Sequence, residues 1–137
     1  MAIRAFLSFV MEDYNLVNLF RGQAKNENSD LEFVDYSLKE PFDSRNADYI
    51  KQGITDRIRP ATLTICLYGP TTYESKWVNW ELNKTLDLSK PLMGVWLYSD
   101  GRIKFYPGPL KDWPRVAWDS KQIVQTMTRL ASGYRNG

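Results

Sequence analysis

Apolar residues fall along this chain in two alternating rhythms. Short, nearly continuous runs at 3–9, 31–36, 61–68 and 92–98 have the length of strands, and 115–118 makes a shorter fifth. Between them the apolar positions recur at spacings of three and four. Residues 12–25, through Leu16, Leu19 and Phe20, predict a first helix, and 46–58, with the stripe Ile50, Ile54 and Ile58, predict a second that closes before Pro60. A third follows the break at Gly69-Pro70, capped by Thr71-x-x-Glu74 or by Ser75, and runs to about Leu88. The fourth covers 121–130, with Ile123, Val124, Met127 and Leu130 at helical spacing. Residues 26–30 and 39–44 are polar connections, 99–114 is a long loop punctuated by Pro107, Pro109 and Pro114, and 133–137 is a frayed tail.

Strands alternating with helices predict an α/β fold of three layers, with a parallel sheet of about five strands covered on both faces. The length, 137 residues, suits a single domain over 1–137. The run 61–68 is the most apolar and is expected at the sheet centre. In a flavodoxin-like strand order, 2-1-3-4-5, ligands bind outside the carboxyl ends of the first and third strands, where the order reverses. The residues at that edge are Ser8, Phe9 and Val10 from the first strand and Tyr68, Gly69 and Pro70 from the third.

Composition then narrows the chemistry. The 18 basic and 16 acidic residues nearly cancel and no block of like charge occurs, which argues against a nucleic-acid partner. No run approaches the roughly 20 apolar residues of a membrane span, and the amino terminus lacks the apolar core of a secretion signal, so a cytoplasmic protein is expected. The lone Cys66, set within an apolar strand, reads as a buried small hydrophobe. The chain has no histidine. That removes Ser-His and Cys-His dyads and histidine-ligated metal sites, and neither a P-loop nor a dinucleotide Gly-x-Gly-x-x-Gly is present. Catalysis, if any, must run on carboxylates, hydroxyls, amines or backbone, with no metal.

One carboxylate stands out. On the third helix Val78, Leu82 and Leu86 form the core stripe, and Glu81, three residues from Val78 and four from Trp77, lies on its flank. Two readings are open there. Glu81 is either a surface residue paired loosely with Lys84, worth a few tenths of a kcal/mol, or a partly desolvated carboxylate at the ligand edge where its helix begins.

The segments Ala5-Phe6-Leu7-Ser8-Phe9, Asn18 to Gln23, Glu32-Phe33-Val34-Asp35-Tyr36-Ser37 and Ser75-Lys76-Trp77-Val78-Asn79-Trp80-Glu81 together resemble a Toll/interleukin-1 receptor (TIR) domain. More narrowly they resemble the TIR-like ThsB proteins of the bacterial Thoeris anti-phage system. The last two segments are the specific ones. TIR domains carry Trp-Cys-x-x-Glu on this helix; here Val78 stands in place of the cysteine, as in the ThsB-like branch.

The resemblance implies that Glu81 is the essential residue for cleaving the nicotinamide ribosyl bond of NAD+, which is a substrate and not a cofactor. It implies further that the product is a cyclic ADP-ribose isomer that activates a separate effector, and that self-assembly or a phage-derived activator switches the enzyme on. Ser8, Phe9, Asp35, Tyr36, Trp77 and Trp80 are the candidate substrate-binding residues around Glu81, each weighed against ordinary packing or capping. Residues 37–45 occupy the place of the TIR BB loop, which in relatives moves on activation. Two rivals stay open: a non-catalytic TIR adaptor that works by association, and an enzyme of the nucleoside deoxyribosyltransferase kind, which also sets a glutamate against an anomeric carbon.

Overall fold

The computed structural model describes residues 3–27 and 47–133. Four strands, β1 (Ala5–Ser8), β2 (Leu63–Tyr68), β3 (Leu92–Trp96) and β4 (Arg115–Ala117), form one parallel sheet in the order β1-β2-β3-β4. They are the first, third, fourth and fifth of the expected strands. The expected second strand at 31–36 and the loop at 37–45 lie outside the described residues, as do Asp35 and Tyr36. The four helices are α1 (Tyr14–Glu27), α2 (Ala47–Ile58), α3 (Lys76–Asp87) and α4 (Ser120–Ala131).

Alternation along each strand sorts the side chains into two faces. Ala5 and Leu7, with Leu63, Ile65, Leu67, Met93 and Val95, meet Val17 and Phe20 of α1 and Ile123, Met127 and Leu130 of α4. On the opposite face Cys66, Tyr68 and Leu92 pack against Val78 and Leu82 of α3. Phe6 on that face meets Ile50, Ile54 and Ile58 of α2, with Trp77 and Trp80 packed alongside. The sheet is thus covered on both sides, and the most apolar run, β2, is buried along its whole length. A three-layer α/β arrangement is the result.

Three details differ from the sequence expectation. In α1 the buried residues are Val17 and Phe20, which pack on the sheet, while Leu19 is 59% exposed, and the helix starts two residues late behind a 3-10 turn over Met11–Asp13. In α3 the position expected for Leu86 is shared with Thr85, which is fully buried and hydrogen-bonded to the hydroxyl of Thr64 at 2.8 Å. The long loop also contains a 3-10 turn, Gly108–Leu110, that drives Leu110 into the core. Gly94 of β3 makes this possible: a Cβ there would lie 2.9 Å from Leu110 Cδ1 and 3.0 Å from Tyr68 Cε1.

Candidate functional site

Glu81 enters the site through the cap of its own helix. Ser75 closes β2's outgoing loop with an extended backbone, and its hydroxyl accepts from the Val78 amide at 3.1 Å, which starts α3 at Lys76. From that start, Val78 and Leu82 point into the sheet and Glu81, beside them, points at the end of β1. The Ser8 hydroxyl donates to Glu81 Oε1 at 2.6 Å. Ser8 is the last residue of β1, lies in register with Cys66, and is 1% exposed; Glu81 is 9% exposed.

A carboxyl group shut away from water is harder to ionise. Burial pushes the Glu81 pKa from 4.5 up to about 8, with the Ser8 hydrogen bond pulling the other way. The surface-glutamate reading is therefore excluded by the geometry. A pKa near 8 keeps the group close to its ionisation point at neutral pH, so a modest change in its surroundings, such as the arrival of a positive charge, favours the ionised form.

A second carboxylate, not anticipated as functional from the sequence, sits at the same edge. The 3-10 turn after β1 places Asp13 inside, 4% exposed, where the Tyr98 hydroxyl donates to its Oδ1 at 3.4 Å. Its Oδ2 is buried with no hydrogen-bond partner among the described residues. Burial raises its pKa, with Tyr98 opposing and Glu12 adding a little. Asp13 rests on Gly69, the residue that follows β2; a Cβ there would lie 2.6 Å from Oδ2. The signal was present as the acid pair Glu12-Asp13 just past β1, facing a glycine just past β2. The neighbouring Glu12 accepts from the Thr71 hydroxyl, so the two loops that flank the edge are tied together.

Cys66 lies beside Ser8 on the neighbouring strand. Its thiol is fully buried, and burial raises its pKa well above the ordinary value, with the charges of Glu81 and Asp13 adding to the effect. It is a packing residue, as its apolar strand indicated.

The other sequence candidates are placed elsewhere along the edge. Phe9 packs on the α1 side, tilted against Tyr14 with ring centroids 6.5 Å apart and with the Arg21 guanidinium 5.4 Å over its ring. Trp77 and Trp80 meet edge to face at 6.2 Å and cover the α2 cluster, and the ammonium groups of Lys51 and Lys84 lie over Trp80 at 5.6 and 5.5 Å. Of the described candidates, Ser8 is hydrogen-bonded to Glu81, while Trp77 and Trp80 meet each other. Among the described residues no group of three or more Cys, Asp or Glu converges as a metal site, and no helix is long and apolar enough to cross a membrane.

Comparison with known proteins places this edge in a family. Among solved structures, the CMP N-glycosidase BcmB of Clostridium botulinum superposes with a TM-score of 0.55 at 14% identity, covering 91% of this chain and 98% of that one. The TIR domains of the activated Roq1 resistosome, which recognises the pathogen effector XopQ, align with a TM-score of 0.47 at 17% identity, over 95% of this chain and 84% of that one. The BcmB likeness is one of fold. No curated protein matches the sequence. The model of the family described as "Thoeris protein ThsB, TIR-like domain" matches residues 6–102, a span that runs from β1 through Ser8, Asp13 and Glu81 to the loop beyond β3. The chain belongs to the TIR-like domain family of the Thoeris protein ThsB.

Proposed function

We propose that this chain is a cytoplasmic, single-domain enzyme of anti-phage defence that cleaves NAD+ at the nicotinamide ribosyl bond, with Glu81 as the catalytic residue. The observation that carries this reading is the buried Glu81 carboxyl group held by Ser8 at the carboxyl end of β1. In the expected order 2-1-3-4-5 this end is the point where strand order reverses.

The chemistry needs one carboxylate. As the bond between C1′ and the pyridinium nitrogen breaks, its electron pair passes to the ring and nicotinamide leaves neutral, with no proton required. The ribose is left as an oxocarbenium-like cation, and an ionised Glu81 beside it stabilises the charge that develops. A raised pKa fits this role because the substrate ring is itself cationic. Its arrival favours the ionised form of Glu81, so the charge appears when the substrate is in place. Attack on C1′ by the adenine of the same molecule, with loss of one proton, closes a cyclic ADP-ribose isomer, provided water is excluded. That product would diffuse to a separate effector. Self-assembly or a phage-derived activator would set when the enzyme works.

Incubation of the purified protein with NAD+, alone and in extract of phage-infected cells, is expected to release nicotinamide, with Glu81→Gln silent in both. Absence of nicotinamide in both conditions, or release that survives Glu81→Gln, refutes the proposal. The fold shared with a CMP N-glycosidase favours one rival, hydrolysis of the N-glycosidic bond of a nucleoside monophosphate. Offering CMP beside NAD+ and identifying the products by mass spectrometry separates the two.

A further inference from the structure

A cleft of about 300 Å³ opens where β2 and β3 end, lined by Tyr68, Trp96, Tyr98, Phe105 and Tyr106, with Lys104 at its rim. Its size is that of the smallest small-molecule sites, enough for one heterocycle and part of its sugar. Five aromatic residues and one cation gather in this open cleft. Phe105 is 60% and Tyr106 37% exposed, so these rings are not there to fill the core.

They are nevertheless held in place. Tyr73 packs against Phe105 with ring centroids 5.1 Å apart, and the Arg115 guanidinium lies 4.0 Å over the Tyr106 ring. Arg115 is fixed in turn, because its Nη1 donates to the carbonyls of Leu110 at 2.9 Å and Trp113 at 3.2 Å. The floor depends on Gly94, whose missing Cβ lets Tyr68 and Leu110 close over β3.

Tyr98 links the cleft to the acids at the sheet edge. It lines the cleft and also donates to Asp13, whose Oδ2 is a buried acceptor with no partner among the described residues. Asp13 rests against Gly69 just past β2, and Glu81 is held by Ser8 at the end of β1, so both acids lie at the same edge of the sheet. From Ser8, which holds Glu81 at the end of β1, to Trp96, which enters the cleft at the end of β3, is two strand spacings across and two residues along, roughly 12 Å. That distance suits parts of one nucleotide-sized ligand.

We propose that this cleft is a nucleobase subsite: it takes the base of a nucleotide against its aromatic rings, and Lys104 meets a phosphate. The assignment rests on the proposed function only in placing the reacting sugar at Glu81. Stacking on aromatic rings gains affinity for any base, so the subsite binds the base without reading its identity.

The test is calorimetric titration of the full chain carrying Glu81→Gln, which prevents turnover, with ADP and with ribose 5-phosphate as the base-free probe. ADP is expected to bind saturably and at least about tenfold more tightly than ribose 5-phosphate. Adding Tyr106→Ala should weaken ADP about tenfold, and Lys104→Ala should weaken it less. Both positions are exposed, and an unchanged urea midpoint confirms that each variant is folded. The assignment is overturned if ADP shows no saturable binding, if it binds no better than ribose 5-phosphate, or if both folded variants bind it as the parent does. Nicotinamide release from NAD+ by the wild-type chain, measured in parallel, keeps the two proposals apart. Glu81-dependent cleavage with ADP binding insensitive to Tyr106 removes the cleft assignment alone. Tyr106-dependent ADP binding without any cleavage removes the NAD+ reading alone.

Discussion

Replacing Glu81 by glutamine should stabilise the protein, and by an amount that grows with pH. The folded protein keeps the Glu81 proton up to about pH 8, whereas the unfolded chain releases it near the ordinary value of 4.5. Between those values the native state binds more protons than the unfolded one, so stability falls as pH rises. The contribution of the neutral group is complete below about pH 4.5 and is lost as pH passes through about 8. At about 1.4 kcal/mol per pKa unit, the loss is roughly 3 kcal/mol at pH 7 and approaches roughly 5 kcal/mol above pH 8. These are upper limits, since a protein relaxes and admits water around a buried charge. Glutamine keeps the shape and an oxygen for the Ser8 hydroxyl but never ionises. Urea unfolding followed by tryptophan fluorescence at about pH 5, 7 and 9 should therefore show a gap of about 1 kcal/mol between Glu81→Gln and its parent that widens to several kcal/mol. A gap that stays constant, or narrows as pH rises, would refute the burial argument whatever the substrate proves to be. A stabilising loss of function is the signature expected of a charge held at a site for chemistry and not for folding.

Three further outcomes follow from the same geometry. Ser8→Ala removes the hydrogen bond that holds the Glu81 pKa down, so the alkaline rise of kcat/KM for NAD+ should move to higher pH, with about 1 kcal/mol lost in urea stability; an unmoved profile would show that Ser8 does not tune the acid. Gly69→Ala puts a Cβ 2.6 Å from Asp13 Oδ2, and the strain should cost about 1–3 kcal/mol; a neutral urea midpoint would mean that Asp13 is free to swing away. Cys66 is fully buried with a raised pKa, so an aromatic disulfide reagent should label it only at the rate of unfolding in urea; rapid stoichiometric labelling in native buffer would contradict its placement.

Much of the frame was legible because it is local. The apolar run of β2, the stripe of Ile50, Ile54 and Ile58 in α2, and Ser75 as the cap of α3 each depend on residues within a turn or two of one another, and each appears as read. The flank position of Glu81 followed from counting along α3. The errors fall where local spacing is ambiguous. Leu19 fits a helical stripe as well as Val17 does, and only packing against the sheet and α4 decides which of them is buried. Leu110 lies in a proline-punctuated loop with no periodicity at all, and its burial depends on a missing Cβ at Gly94, in a different element.

The sequence by itself determined the alternation of strands and helices, the absence of imidazole chemistry and the motif that carries the family resemblance. Tertiary structure decided the state of the acids. Ser8 and Glu81 are 73 residues apart in the chain and 2.6 Å apart in space; Asp13 and Tyr98 are 85 residues apart and share a hydrogen bond. Desolvation depends on what surrounds a group from every side, and most of those neighbours come from distant segments. A glutamate three positions from Val78 can be written in sequence, but a glutamate that keeps its proton at neutral pH exists only once β1, β2 and α3 have closed around it.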